Sequence, residues 1–282
     1  MTDARSLVLR PLQGLQEERL GSELLARVFG GPGVPPAGER DPQGTIEGQP
    51  IGAFEGERLL GVTRGALELD DANNPKRVPG QSLRITHLAV EPTATGRGLG
   101  EQLMGVHRQQ ALGQGLQLVT WKQDPLDARL AHLAIRKLGA VSRWVRISDD
   151  GQAHELEVEW WVRSARVQAR LAGTRAELEL ADALEAGVPR LNSGMLGDDG
   201  LLRPQGGEQT PESAMALVEI PFEFGGLRSR DPRLAQAWRA HVEQILDRAF
   251  GLGYWLTDFL SLRGERHPRA YYLLIDGERQ LS

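Results

Sequence analysis

Residues 83–100 read LRITHLAVEPTATGRGLG, and the rest of the chain is organised around them. An apolar run over 85–90 has strand character and meets Pro92. After a short polar turn, Gly96, Gly98 and Gly100 alternate with Arg97 and Leu99, and the helix-forming run EQLMGVHRQQAL begins at Glu101. Strand, glycine loop and helix start make a cradle for an anion. Unpaired backbone N–H groups and the positive end of the helix dipole face one point. Glycines let the backbone come close and turn with positive φ.

Composition narrows what that anion can serve. The 282 residues suffice for one large domain or two ordinary ones. A hydrophobic fraction of 40% and a charged fraction of 25% are those of a globular protein. The net charge of −5 argues against a nucleic-acid partner. Cysteine is absent, which excludes disulfides, zinc–thiolate sites and cysteine nucleophiles. No apolar run approaches the roughly 20 residues that span a bilayer, so no membrane partner is expected. The opening MTDARSLVLRPLQG has no signal-peptide core, and a cytoplasmic location is the expectation. The histidines at 107, 154, 241 and 267 lack metal-ligand spacing, so no metal is expected. No G-x-S-x-G stretch is present for a serine hydrolase.

Periodicity sets the frame. Strand character over 6–11 precedes a helix over 16–29, with Leu20, Leu24, Leu25 and Val28 at helical spacing. A Gly- and Pro-rich loop covers 30–50, a hairpin covers 51–67, and a turn fills 70–80. The strand over 81–90 feeds the glycine loop and a helix over 101–112. An apolar strand over 116–121 reads as central and buried. Asp124-Pro125 reads as the N-cap and first position of a helix that Gly139 ends. A hairpin over 141–162 follows, across a turn at 148–151. Beyond Arg163 the signals weaken to a short helix over 181–187 and a loop over 192–209. They return as a strand over 216–221, a strongly amphipathic helix over 232–250, and strands over 254–262 and 270–275. The expected fold class is α/β (α+β): a mixed, mostly antiparallel sheet with flanking helices, plus a C-terminal β-α-β-β extension. The expected domains are 1–162 and 163–282.

Two familiar phosphate loops do not fit. A dinucleotide fold wants G-x-G-x-x-G, whereas the spacing here is G-x-G-x-G. A triphosphate P-loop wants Lys-Ser or Lys-Thr after its glycine, and neither is present. The order of elements and two motifs resemble the GNAT N-acyltransferase superfamily. Its phosphate loop reads [QR]-x-x-G-x-[GA] after a strand L-x-V-x-P. This chain has Leu88-Ala89-Val90-Glu91-Pro92, then Thr95-Gly96-Arg97-Gly98-Leu99-Gly100. Thr95 falls where the family shows Gln or Arg. A second signature, L-Y-x-K-x-G-F, is matched by Ala134-Ile135-Arg136-Lys137-Leu138-Gly139-Ala140, which keeps the lysine and glycine and loses both aromatics. The resemblance covers residues 5–162.

The resemblance implies acetyl-CoA or another acyl-CoA as co-substrate. The diphosphate would lie on the N–H groups of Gly96–Gly100, with Arg97 adding a charge-assisted bond. The pantetheine arm would pair with the strand at Leu88, Ala89 and Val90. The tyrosine that protonates the departing thiolate in many relatives is Ile135 here, which cannot donate. His87 is the candidate base, because an imidazole titrates near ~6.5. Thr86 and Glu91 are neighbours that could relay through water. Which of residues 86 and 87 faces the cleft depends on whether the strand bulges. Trp121, Lys122 and Asp124 follow the central strand and are candidate acceptor contacts, with a helix cap as the other reading of Asp124. His132 is a candidate substitute acid. Trp160 and Trp161 point to opposite faces, so at most one lines a pocket.

The expected function is acyl transfer to a small-molecule amine or amino acid by direct attack, since no nucleophile for a covalent intermediate is evident. Rival readings are a non-catalytic acyl-CoA-binding module and an N-succinyltransferase acting on amino acids. A homodimer is left open.

Overall fold

Leu7 and Leu9 alternate with outward residues to form strand β1 (Leu7–Pro11). Helix α1 (Gly14–Phe29) follows, and Leu24 and Leu25 form its buried stripe. Glu17 in its first turn accepts from Arg10 Nη1 and from the Gln13 backbone N–H, satisfying an orphan donor of the helix start. In this computed structural model the described residues are 6–29, 46–68, 82–147, 154–174, 177–207, 209–262 and 267–277. The turns expected over 70–80 and 148–151 lie outside them, as does most of the loop over 30–50.

The chain divides into two compact units, residues 1–121 with 161–163, and residues 122–160 with 164–282. The division therefore falls earlier than the expected boundary at 162/163. The hairpin over 141–160 belongs with the second unit because Ser142 pairs with Leu256 of a C-terminal strand.

In the first unit the strands run β1–β3–β4–β5–β6, with β3 (Ile51–Glu55), β4 (Arg58–Glu68), β5 (Ser82–Val90) and β6 (Leu118–Gln123). A two-residue strand, β2 (Ile46–Glu47), pairs with β4. Pairing is antiparallel except between β5 and β6. Helix α2 (Leu99–Gly113) connects that parallel pair. The two faces of the sheet hold separate cores. Leu24 and Leu25 of α1 pack with Leu12, Phe54, Leu59, Val62 and Ala89. Leu99 and Leu103 of α2 pack with Ile51, Ala53 and Leu60, flanked by Leu88 and Val90. Each fully buried leucine contributes roughly 1.5–3 kcal/mol.

The second unit carries α3 (Ala128–Ala131), which runs on as a π-helical turn over His132–Lys137, then β7 (Val141–Ile147) and β8 (His154–Trp161). Asp127 caps α3, accepting from the N–H groups of Arg129 and Leu130, so the expected cap at Asp124 is displaced by three residues. Asp124 instead accepts from the Leu126 N–H in the turn before the helix. Helices α4 (Ala165–Leu171) and α5 (Leu180–Glu185) lead to a hairpin of β9 (Asn192–Leu196) and β10 (Leu202–Gly206), where a loop was expected. The C-terminal part is β11 (Met215–Ile220), α6 (Phe224–Arg230), α7 (Pro232–Gly251), β12 (Tyr254–Leu262) and β13 (Arg269–Asp276). Both β11 and β12 pair antiparallel with β13, and the expected β-α-β-β extension is present with one added short helix. Apolar spacing in α7 predicts a stripe of Leu234, Trp238, Val242, Ile245, Leu246, Ala249 and Phe250; all are buried except the half-buried Leu234, and Asp231 caps the helix through the Leu234 N–H.

Candidate functional site

The site is built where β5 meets α2. Strand β5 follows β4 in register from Glu68↔Ser82 to Gly65↔Ile85, then from Arg64↔His87 to Gly61↔Val90. Thr86 is therefore an extra residue, a β-bulge. After the bulge His87 lies opposite Arg64, on the face covered by α1. The rings of His87 and Phe29, the last residue of α1, meet edge to face with centroids 6.5 Å apart. Two threonine hydroxyls bond backbone carbonyls at the bulge. Thr86 Oγ1 donates to the Arg64 carbonyl at 3.4 Å, and Thr63 Oγ1 is 2.9 Å from the His87 carbonyl.

The parallel register of β5 with β6 runs from Ser82↔Leu118 to Arg84↔Thr120 and stops there. Past that point β5 continues through Leu88, Ala89 and Val90, the segment expected to receive a pantetheine arm. The chain then turns. Glu91 donates its backbone N–H to Leu60 O, and its carboxylate accepts from Arg27 Nη2 at 3.1 Å. A 3₁₀ turn over Pro92–Ala94 follows, and Thr95 Oγ1 donates to Pro92 O, so the motif's first position serves the turn itself.

Gly98 is the N-cap of α2 at φ 75°, and no side chain caps that helix. Its first-turn N–H groups consequently keep the unfilled donors of a helix start. The space over the loop is open: a Cβ on Gly96 would meet nothing within 4 Å, and one on Gly98 only Gln102 Nε2 at 4.0 Å. An uncapped helix end below open space fits a diphosphate. Arg97, expected to add a bond to that anion, is ion-paired with Glu55.

Helix α2 carries a residue that the sequence reading considered only as a metal ligand. His107 on α2 is 1% exposed, with Nε2 3.0 Å from Thr63 Oγ1 and Nδ1 3.0 Å from Gln110 Oε1. Burial pushes its pKa down to about 4, so the ring is neutral at pH 7. Gly65 makes room for it, since a Cβ there would lie 3.1 Å from its Cε1. A signal was available in the small residues Gly61, Thr63 and Gly65 at alternate positions of β4.

The remaining candidates fall elsewhere. Trp121 is half-buried at the end of the first unit. Lys122 and Asp124 belong to the second unit, where Lys122 is 3.6 Å from Glu155 and Asp124 is paired with Arg239 at 2.6 Å. His132 opens the π-helical turn and meets Phe259 edge to face. Ile135 is fully buried, and Trp160 is a core residue donating Nε1–H to Leu138 O. Among the described residues, no helix is long and apolar enough to cross a membrane, and no group of three His, Asp or Glu could hold a metal ion.

Residues 21–140 match the acetyltransferase (GNAT) family. No curated protein matches the chain. Similar solved structures include the ribosomal-protein-S18-alanine N-acetyltransferase of Escherichia coli, at 12% identity over 57% of this chain and 96% of that one, with a TM-score of 0.40. An N-acyl amino acid synthase from uncultured soil microbes aligns at 12% identity over 60% and 97% of the two chains, with a TM-score of 0.42. NAA60 of Arabidopsis thaliana, bound to a bisubstrate analogue, aligns at 15% identity over 55% and 96%, with a TM-score of 0.44.

Proposed function

We propose, from the premise that residues 21–140 are a domain of the GNAT acetyltransferase family, that the chain transfers an acetyl group from acetyl-CoA to a small amine or amino acid. The observation that carries this reading is the uncapped start of α2 below open space at Gly96 and Gly98, reached from a bulged strand whose pairing with β6 has ended. Gly96, Gly98, Leu99 and Gly100 hold the diphosphate through backbone N–H groups. Leu88, Ala89 and Val90 offer backbone groups to the pantetheine amides.

His87 takes a proton from the incoming ammonium, and the neutral amine attacks the thioester carbonyl carbon. A C–N bond forms, the C–S bond breaks, and the amine's second proton ends on sulfur. Ile135 contributes no proton to this step. Glu91 and Thr86 flank the base, Glu91 held by Arg27 and Thr86 by the Arg64 carbonyl.

Replacing Gly98 by Glu tests the donor site. It puts a carboxylate where the diphosphate must lie, and acetyl-CoA binding by calorimetry should vanish while circular dichroism is retained. Undiminished affinity would remove the loop from the reading. A donor and acceptor panel, with acetyl- and succinyl-CoA against amines and amino acids, tests the reaction. The buried Ile135 favours a second reading, a module that binds acyl-CoA without turnover. Tight CoA binding with no transfer to any acceptor would establish it.

A further inference from the structure

We propose that the second unit carries a binding site for a small carboxylic acid, of the size of an amino acid or a hydroxy acid, with Arg190 as its anchor. The proposal is independent of the reading of the first unit.

An open cavity of about 280 Å³ lies beside the β9–β10 hairpin. Clefts that hold drug-sized ligands start at roughly 300 Å³, so this one suits a smaller guest. Among the described residues that line it, Arg190 alone is charged. Arg190 is exposed, and its guanidinium has no hydrogen bond or ion pair among the described residues. Its N–H donors form a planar fork that matches the two oxygens of a carboxylate. Ser193 and Gln205, which face each other across the hairpin, add neutral donors and acceptors, as does Gln209. Gln205 Nε2 donates to the thioether of Met195 at 3.2 Å, a weak acceptor that a ligand oxygen would displace. One positive charge among neutral polar groups balances a monoanion. It leaves a dianion half-neutralised.

The cavity is built from backbone that is already held. Asn192 is 3% exposed, and its carboxamide closes on β11. Its Nδ2 donates to Glu219 O at 3.0 Å, and its Oδ1 accepts from the Glu219 N–H at 2.7 Å. The fully buried Glu219 carboxylate accepts from the Gly194 N–H at 2.8 Å and pairs with Arg269, which offsets its charge. Gly206 and Gly207 turn the chain at φ 74° and 88°, where glycine is favoured. Gly207 donates its N–H to Leu191 O at 2.9 Å, and its carbonyl accepts from Arg248 Nη1 at 3.0 Å. A Cβ on Gly207 would lie 2.7 Å from His241 Cε1, so bare backbone packs on α7 there. On either side of Arg190, Pro189 O and the Leu191 N–H bond to Leu217 of β11, each at 2.8 Å. The anchor thus projects from fixed backbone, which lowers the cost of ordering the site around a ligand.

Amide chemical shifts of the full chain, titrated with L-lactate and with L-serine, test the site. Ser193, Gln205, Gly206 and Gly207 should shift, with dissociation constants in the millimolar range for ligands so small. L-Lactamide and L-serinamide, which lack the carboxylate, should bind roughly tenfold more weakly or worse, because the charge-assisted bonds are gone. Arg190→Gln should weaken lactate and serine binding by a similar factor while keeping the wild-type unfolding midpoint. Inorganic phosphate should bind more weakly than lactate. Shifts centred on Gly96–Gly100, amide analogues that bind as well as the acids, phosphate that binds more tightly, or wild-type affinity in Arg190→Gln would each overturn the proposal. So would unmoved Ser193, Gln205, Gly206 and Gly207 amides at about 20 mM of both acids.

Discussion

Arg97 Nη2 lies 2.6 Å from Oε1 of Glu55, so the one cation within the glycine loop is already held by a carboxylate at the end of β3. Both side chains are partly exposed, at 46% and 27%, and such pairs are worth little in water. A diphosphate arriving at the loop competes with Glu55 for Arg97 and is also repelled by Glu55. Glu55→Gln should therefore tighten acetyl-CoA binding, by roughly two- to fivefold at low salt. The gain should fade as salt rises, and Arg97→Gln should weaken binding. Calorimetry at two ionic strengths checks both.

His107 predicts a pH dependence of stability. Its folded pKa is about 4, below the ordinary imidazole value of 6.5, because burial disfavours the charged ring. Below the ordinary value the unfolded chain binds a proton that the folded chain refuses. Stability is thus fully present above about pH 6.5 and is lost progressively down to about pH 4, by an amount on the order of 3 kcal/mol. Urea midpoints measured across that window should fall with pH more steeply than those of His107→Gln. Parallel curves would show that the ring titrates as if exposed.

Asp258 is the acid of a buried cluster in the second unit. Its Oδ2 pairs with Arg170 and lies 3.6 Å from Arg136 Nη1, and its Oδ1 accepts from the Phe259 N–H. Arg136 also reaches Glu177 and Glu179, each at 2.9 Å. Removing one partner of a buried charge pair leaves the other uncompensated. Asp258→Asn should cost about 3–5 kcal/mol in denaturant unfolding. A cost below about 1 kcal/mol would mean that water reaches the two arginines.

His87→Ala tests the base. It should lower kcat/KM by about 10²–10⁴-fold and remove the acid limb of the rate profile, with acetyl-CoA affinity retained. An unaltered pH profile would transfer the proton chemistry to another group.

Local pattern carried far along this chain. The α7 stripe and its Asp231 cap were legible because apolar residues recur at helical spacing after a capping residue. The glycine loop was legible because its spacing excludes other phosphate loops. Less came through where two local signals compete. Asp124-Pro125 has the better helix-start chemistry, yet Asp127 makes the cap and Asp124 is drawn to Arg239, 115 residues away. The β9–β10 hairpin was hidden by Gly- and Asp-rich composition and is held by backbone pairing. The bond between Arg97 and Glu55, and those from Thr63 to the His87 carbonyl and the His107 ring, join residues far apart in sequence, and periodicity is silent about such pairs.

The bulge at Thr86 also changes the parity of β5. Counted in strict alternation from Leu83, His87 and Ala89 would fall under α2, and Leu88 and Val90 under α1. One extra residue exchanges the sets, so that Ala89 joins the α1 core while Leu88 and Val90 flank the α2 core. Between Ile85 and Val90 the strand can accordingly gain or lose residues only in pairs. A single insertion or deletion would swap the contents of two hydrophobic layers at once and turn the imidazole to the opposite side of the sheet.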